Sequence, residues 1–483
     1  MVGKYIKKSA YNTFFYAAAS AVARGINFLF LPYFLSRLSL YELGIWDWYQ
    51  TGFSIGVFLL SSCAATCLIR FSLLYKDDAA RRNQAIGNSL LFAACCVMFV
   101  CCIAALVLWI GIWKAKMFEL YTLLNICLYV FFALSTAYLS MREYLILYSV
   151  AFIAQSALSA LCTVYAVSRG YGISAFFYGN TISLLPFFIS FFYLFIRYRS
   201  YNVLLFFQQL RYAGPLLING LFYTFLVSND RWFLQKSAGF EALGEYGLLW
   251  RFGAIFQMLT LSVTSAWPIV CFNAQKELNG DELIKKMVIY FSLLLTSGYV
   301  CAAVGAKAVL SLFLPVKYAY LAVYFPTFFI PVLLLALAHL CTVGCGLARE
   351  GLYPTLVTGF TLSLQTALLF FAASSGVWGV CLANLLAFLG YAIFNACASS
   401  YAYAGAVIEK AKLSLFFSYF FIFAACLQFA FFLNVSWYLL IFFIPAWCGA
   451  IIFSGIINSE IKLLYNYVRA YYCRLFGYES RAL

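Results

Sequence analysis

Residues Arg211–Arg251 read RYAGPLLINGLFYTFLVSNDRWFLQKSAGFEALGEYGLLWR, and this stretch decides the fold. It starts with a long apolar run that meets Asp230 and Arg231 before it ends. A turn is predicted between residues 237 and 244, and Arg251 lies early in the next apolar run. Charges inside a membrane-spanning helix are costly, so they usually face a protein interior or a water-filled cavity. The stretch therefore predicts two spanning helices that present charged groups to an interior.

The same stretch resembles the start of the chain. Residues 41–46, YELGIW, resemble residues 241–246, EALGEY, and Phe34-Leu35 resembles Phe233-Leu234. One short insertion separates the two registers. The pattern predicts two related halves, the second opening at about Arg211.

The composition indicates a polytopic membrane protein. The 483 residues are 65% hydrophobic and 10% charged, with a mean hydropathy of +0.93, whereas soluble domains carry about 25% charged residues. The net charge of +15 fits cytoplasmic loops that obey the positive-inside bias better than it fits nucleic-acid binding. Most of the 17 cysteines lie in apolar runs without nearby histidines or carboxylates, so no metal site is predicted.

The number of spans follows from the length of the apolar runs, because a spanning helix needs about 20 mostly apolar residues. This rule places about fourteen spans, at roughly 10–35, 43–69, 85–111, 117–139, 144–167, 173–196, 212–235, 245–271, 285–309, 320–346, 353–373, 377–402, 413–433 and 436–458. With both termini cytoplasmic, most lysines and arginines fall in the inner segments, which supports an even number of spans.

We therefore predict an all-α polytopic membrane protein with about 14 transmembrane helices. Spans 1 and 7 correspond and cross in the same direction, which indicates two six-helix bundles related by a parallel pseudo-two-fold axis. The predicted domains are an N-terminal bundle at 1–200, a C-terminal bundle at 201–410, and two additional helices with a basic cytoplasmic tail at 411–483.

Three arginines are the candidate substrate-binding residues. Arg24, Arg231 and Arg251 fall in the middle-to-outer zone of spans expected to line a cavity between the bundles. Arginine is always charged and makes paired hydrogen bonds to phosphate, so such a cavity favours a diphosphate-bearing substrate over a cation. Asn27 and Asn219 add hydrogen-bonding capacity for sugar hydroxyls, although joining neighbouring helices is the commoner role of such residues.

Intramembrane carboxylates are the candidates for ion coupling. Asp47 and Asp230 lie near the outer ends of spans 2 and 7 and can carry a proton or a sodium ion, or serve as arginine counter-ions. The only histidine, His339, lies in a span, where a hydrogen bond to a neighbour is the commoner role. No catalytic motif or cofactor-binding motif is present, so we expect a protein that is not an enzyme and uses no cofactor.

The residues PYFLSRLSLYELGIWDWYQ near the start and NDRWFLQKSAGFEALGEYGLLWRFGAIF in the second half resemble bacterial polysaccharide flippases. These are the O-antigen repeat-unit translocases of the multidrug/oligosaccharidyl-lipid/polysaccharide exporter (MOP) superfamily. The resemblance implies twelve core helices in two bundles, a V-shaped central cavity and alternating access. It also implies an undecaprenyl-diphosphate-linked oligosaccharide as substrate, and the family's basic cavity residues correspond by position to Arg24, Arg231 and Arg251.

The expected role is thus translocation of lipid-linked repeat units across the bacterial cytoplasmic (inner) membrane. Membrane lipids are expected partners, polysaccharide polymerases and chain-length proteins are candidate protein partners, and nucleic acid is excluded. The alternatives are a drug or cation antiporter of the same superfamily, a flippase for a lipid-linked peptidoglycan precursor, and a membrane glycan-modifying enzyme such as a polymerase or acyltransferase.

Overall fold

The computed structural model describes residues 18–19, 21–109, 117–274, 280–313, 315–348, 352–403 and 410–447. The chain is helical through nearly all of these ranges and forms no β-strand within them. The predicted basic tail, and the last predicted span beyond residue 447, lie outside the described residues. The helices are α1 (21–29), α2 (Leu31–Arg37), α3 (Leu40–Leu74), α4 (Ala79–Trp109), α5 (Met117–Met141), α6 (Leu145–Ser168), α7 (Ser174–Arg197), α8 (Val203–Leu226), α9 (Asn229–Ala274), α10 (Gly280–Phe313), α11 (Phe325–Cys341), α12 (Val343–Leu347), α13 (Leu352–Ala372), α14 (Gly376–Ala402), α15 (Lys410–Phe432) and α16 (Trp437–Leu440).

Eight helical stretches of the described chain are long and apolar enough to cross a membrane. They are Leu40–Leu74, Ala79–Leu106, Met117–Met141, Leu145–Ser168, Ser174–Arg197, Gly280–Leu312, Val316–Cys345 and Leu352–Ala402, the last of which joins α13 and α14. They coincide with predicted spans 2 to 6 and 9 to 12. The helices α8 and α9 also form where spans 7 and 8 were predicted, although they are not among these eight stretches. The predicted all-α polytopic fold is confirmed.

The helices pack as two bundles. In the first bundle, α3, α4, α5 and α7 enclose a core that includes Leu68, Leu90, Phe132 and Leu184. In the second bundle, α9, α10, α11, α13 and α14 enclose a larger core. The helix α8 contacts both bundles, since it packs on α3 and α4 and also on α13. The domain boundary near residue 200 therefore stays a prediction.

The predicted repeat is visible as a reciprocal contact between α3 and α9. A Cβ atom added to Gly44 would lie 1.8 Å from the carbonyl oxygen of Phe240, and one added to Gly244 would lie 2.0 Å from that of Leu40. Small residues let helix backbones approach this closely in membranes. Since residue 40 relates to 240 as 44 relates to 244, the contact has the two-fold symmetry that the sequence predicts.

Helix boundaries near this contact follow from local chemistry. The helix α3 begins with a capping box, in which the Ser39 hydroxyl accepts from the Glu42 N–H while the Glu42 carboxylate reaches back to Ser39. In the second half, the predicted turn is present at Gly239, whose φ of 83° interrupts α9. Glycine adopts this left-handed region without steric cost.

The predicted span 212–235 is not one continuous helix. The helix α8 ends at Leu226 and α9 begins at Asn229. The break frees the backbone carbonyl of Leu226, which accepts a 2.9 Å hydrogen bond from the Gln365 side chain on α13. Asp230 then lies in the first turn of α9, where a negative charge is favourable. Tertiary contacts thus stabilise a break that local hydrophobicity does not indicate.

The two additional helices dock on α10 through a buried lysine. Lys307 is 7% exposed, and its Nζ donates to the carbonyl of Val435 at 2.7 Å and to Asn434 Oδ1 at 3.3 Å. Both acceptors lie in the short connection between α15 and α16, so the ammonium group holds this connection against α10.

Candidate functional site

Arg24 bridges the two halves without a carboxylate partner. It lies on α1, and its guanidinium donates to Gln257 Oε1 on α9 at 3.1 Å. Among the described residues, no acidic side chain lies within 4.0 Å of it. Nearby, the rings of Phe28 and Phe252 pack edge to face at 5.3 Å and join the same two helices. Arg24 is therefore a cation that is held by a neutral amide at the contact between the two halves. We call this contact the seam.

Arg251 and Asp47 pair across the seam from positions 204 residues apart. Arg251 Nη2 lies 3.5 Å from Asp47 Oδ1, and the two side chains are 23% and 12% exposed. The other oxygen, Asp47 Oδ2, is buried and accepts no hydrogen bond from the described residues. It rests against Gly247, where an added Cβ would lie 1.3 Å from Oδ2. The pair is long and leaves part of the Asp47 carboxylate unsatisfied.

Arg231 is satisfied locally. Its Nη1 lies 3.2 Å from Asp230 Oδ1 and donates to the carbonyl of Val227 at 2.9 Å. The guanidinium also lies 4.8 Å from the ring centroid of Trp250, a distance that gives a cation–π interaction. Arg231 therefore stabilises the break between α8 and α9. Because Asp230 neutralises it, Arg231 leaves less positive charge for a ligand than Arg24 does.

Asp230 is the centre of a buried polar network. It is 2% exposed, and its Oδ2 accepts from the Tyr246 hydroxyl and, at 2.9 Å, from Asn384 Nδ2. Gln365 donates in turn to Asn384 Oδ1 at 2.8 Å. The network joins the start of α9 to α13 and α14. Nothing in the sequence pointed to Tyr246 as a member of this network.

The two candidate asparagines differ in their surroundings. Asn27 is exposed, and its amide makes only a long 3.4 Å contact with the carbonyl of Ala23. Asn219 lies on α8, and its Oδ1 is buried without a hydrogen-bond donor among the described residues. Asn219 thus has an open acceptor, and Asn27 is free to interact with groups outside its own helix.

A cavity of about 440 Å³ opens between the bundles, next to the start of α9 that carries Asp230 and Arg231. Its walls come from α3, from Thr122 on α5 and from the break between α8 and α9. Along α3, residues 40–47 contact α9 above the cavity. Below it, Cys67 Sγ lies 3.4 Å from the carbonyl of Gln209, and Arg70 lies 3.9 Å from the ring centroid of Tyr212 on α8. The cavity therefore lies between two contacts of α3, one with α9 and one with α8.

His339 packs between two tyrosines. Its ring centroid lies 5.7 Å from that of Tyr223 and 6.5 Å from that of Tyr391. In the part of the chain that the structure describes, no group of three or more His, Cys, Asp or Glu side chains could hold a metal ion. The side chain also forms a hydrogen bond with the backbone of Leu335, which is the role that was predicted as the commoner one for a lone histidine.

Comparison with known proteins identifies the fold. No protein-family model matches the chain, and no curated protein matches it significantly. Solved structures do match. The lipid II flippase MurJ in an inward closed conformation has a TM-score of 0.63 at 13% identity and covers 93% of this chain and 98% of its own. A multidrug resistance MATE family transporter of the MOP superfamily, in an inward-facing conformation, has a TM-score of 0.59 at 14% identity and covers 80% of this chain and 93% of its own.

A further match is a MOP superfamily transporter from Pyrococcus furiosus Vc1, described as having a binding pocket of reverse polarity. It has a TM-score of 0.59 at 14% identity and covers 81% of this chain and 95% of its own. At this level of identity the similarity establishes that the chain has the fold shared by these transporters.

Proposed function

We propose that the protein is a flippase for undecaprenyl-diphosphate-linked oligosaccharide repeat units in the bacterial cytoplasmic membrane. The substrate binds between the two bundles, and alternating access carries its head group from the inner to the outer leaflet. Two features support this proposal: a fold shared with a lipid II flippase and a seam between the bundles that carries arginine side chains.

The strongest support for the proposal is the positive charge of Arg24, which no carboxylate among the described residues neutralises. A guanidinium stays protonated in any protein environment, and burying a charge without a counter-ion is costly. Here the contact to Gln257 supplies an amide oxygen but no negative charge. A diphosphate would supply that charge together with paired acceptors that match the guanidinium fork. Arg24 therefore favours an anionic head group and repels a cationic drug.

Arg251 provides a second, exchangeable contact. Its 3.5 Å pair with Asp47 is longer than a good charge-assisted hydrogen bond, so a phosphate oxygen can compete with the carboxylate. Asp47 would then need a proton or a sodium ion to balance its charge. We propose Asp47 as the main coupling residue. Asp230, which already accepts from Tyr246, Asn384 and Arg231, has less capacity for a second role.

A second candidate is a lipid-linked peptidoglycan precursor as substrate, because the fold match to lipid II flippase extends over 93% of this chain. The same arginine chemistry serves both substrates, since both carry a diphosphate. Restored viability of a strain depleted of its own lipid II flippase would identify this second substrate, and restored surface polysaccharide would identify the first.

Complementation tests the proposal. A host strain from which this gene has been deleted receives wild type, Arg24→Ala or Arg169→Ala, and surface polysaccharide is measured at equal protein levels. Arg169 is a matched control because it is exposed and contacts the ring of Tyr165 rather than the seam. We expect loss of polysaccharide with Arg24→Ala alone. Normal polysaccharide with Arg24→Ala would refute the proposal.

A further inference from the structure

The cavity between the bundles has walls of a distinct chemistry. None of its ten lining residues carries a charge, and four of them are the large aromatic side chains Trp48, Tyr49, Phe225 and Trp232. The two indoles come from opposite halves, on α3 and α9. At about 440 Å³, the cavity lies in the size range of small-molecule sites and has room for about two sugar rings.

The polar groups of the cavity include acceptors, which two threonines and an asparagine supply, as well as donors. Thr51 Oγ1 donates its proton to the carbonyl of Asp47 at 2.8 Å, and Thr122 Oγ1 donates to that of Phe118 at 2.7 Å. A hydroxyl has one proton, so these two threonines offer only lone pairs to a ligand. Asn229 uses one amide N–H on Thr366 at 2.8 Å and keeps its carbonyl oxygen. Such a wall suits a ligand rich in O–H groups.

Charged side chains lie near the cavity but outside its lining. Lys236 Nζ lies 5.5 Å from the ring centroid of Trp232, and Glu119 lies within electrostatic range of Tyr49. A carboxylate bound in this cavity would find no lysine or arginine among the ten lining residues, so its charge would lose hydration without an ion pair in return. An acyl chain would in turn leave the threonine and asparagine oxygens unpaired.

We propose that this cavity is a subsite for uncharged sugar rings, such as neutral hexoses or N-acetylhexosamines, and that it selects against acidic sugars. This inference rests on the proposed function and extends it, because it assigns a class of sugar to the units that enter between the bundles. Trp48 and Trp232 supply apolar faces for the C–H surfaces of the rings, and Thr51, Thr122 and Asn229 accept from their hydroxyls.

Saturation-transfer NMR on the full chain in nanodiscs tests the subsite without any lipid carrier. The probes are three neutral disaccharides (maltose, lactose and N,N′-diacetylchitobiose) and a disaccharide in which one ring is a hexuronic acid. We expect saturable binding of at least one neutral probe and at least about tenfold weaker binding of the uronic acid probe. Comparable or tighter binding of the acidic probe would overturn the inference, as would the absence of binding by every probe.

A matched pair of substitutions on α5 locates the binding. Thr122→Val removes an acceptor in the cavity at nearly constant volume, and Thr136→Val removes the same type of back-bonded hydroxyl where it is buried away from the cavity. Loss of one hydrogen bond should weaken neutral-sugar binding about fivefold in Thr122→Val and leave it unchanged in Thr136→Val. Equal effects of the two substitutions would contradict the assignment, and Thr51→Val on α3 provides an independent repeat.

The two hypotheses fail separately, because the free disaccharides carry no phosphate. If Arg24→Ala abolishes transport but the wild-type protein binds none of the disaccharides, only the subsite is refuted. Sugar binding by a protein that restores no lipid-linked transport would refute the proposed function alone.

Discussion

Replacement of Gly44 by alanine should open the contact between α3 and α9. The added Cβ would lie 1.8 Å from the Phe240 carbonyl oxygen, whereas ordinary contacts begin at 3.4 Å. A backbone carbonyl cannot rotate away as a side chain can, so α3 and α9 must separate by about 1.5 Å. Overpacking of this kind costs about 1–3 kcal/mol. That free energy corresponds to a shift of about 5- to 150-fold between the closed and open forms of the seam.

Hydrogen–deuterium exchange followed by mass spectrometry measures this shift without engineered labels. Peptides covering residues 40–48 and 240–248 should exchange faster by about that factor in Gly44→Ala. The symmetric change, Gly244→Ala, should have a similar effect, because its Cβ would lie 2.0 Å from the Leu40 carbonyl. Gly305→Ala is the control, since its added Cβ meets no atom within 4 Å. Wild-type exchange rates in Gly44→Ala would refute the reasoning.

Three further substitutions test other parts of the structure. Lys307→Met should destabilise the docking of α15 by about 1–3 kcal/mol, because it removes two hydrogen bonds donated by a charged group, and exchange across α15 should increase relative to the rest of the chain. Asn384→Leu removes a hydrogen-bond donor from buried Asp230 and should lower the free energy of unfolding of the purified protein by about 1–3 kcal/mol. We expect a lower melting temperature, and an unchanged one would show that the network is dispensable. Asp47→Asn should free Arg251 and tighten binding of inorganic pyrophosphate, measured by calorimetry, and weaker binding would argue against competition between carboxylate and phosphate.

The sequence was sufficient for the architecture because its signals are local. Long apolar runs predict spanning helices directly, and the related segments around Gly44 and Gly244 predict two related halves, although not that these segments contact each other. The turn near Gly239 was also predicted from its surroundings. These features depend on residues that are close in the chain or that recur at a fixed offset.

The pairing of charged groups could not be predicted in the same way. Asp47 and Arg251 meet across 204 positions, and their contact depends on how the two bundles pack. The network of Asp230 requires Tyr246 and Asn384 from two other stretches of helix. The aromatic lining of the cavity could not be predicted from the sequence, because aromatic residues make up 20% of the chain. Only the fold, with its break after Leu226, separates Trp48 and Trp232 from the other aromatic residues.

Binding of undecaprenyl diphosphate, the carrier without sugar, tests the role of Arg24 most directly. The purified protein in nanodiscs can be titrated with the carrier and the bound fraction measured by native mass spectrometry. We predict that Arg24→Ala weakens binding at least about tenfold, the effect of losing one charge-assisted hydrogen-bond pair, while Arg169→Ala binds as wild type does. Equal affinity of wild type and Arg24→Ala for the carrier would contradict the claim that this arginine holds the diphosphate.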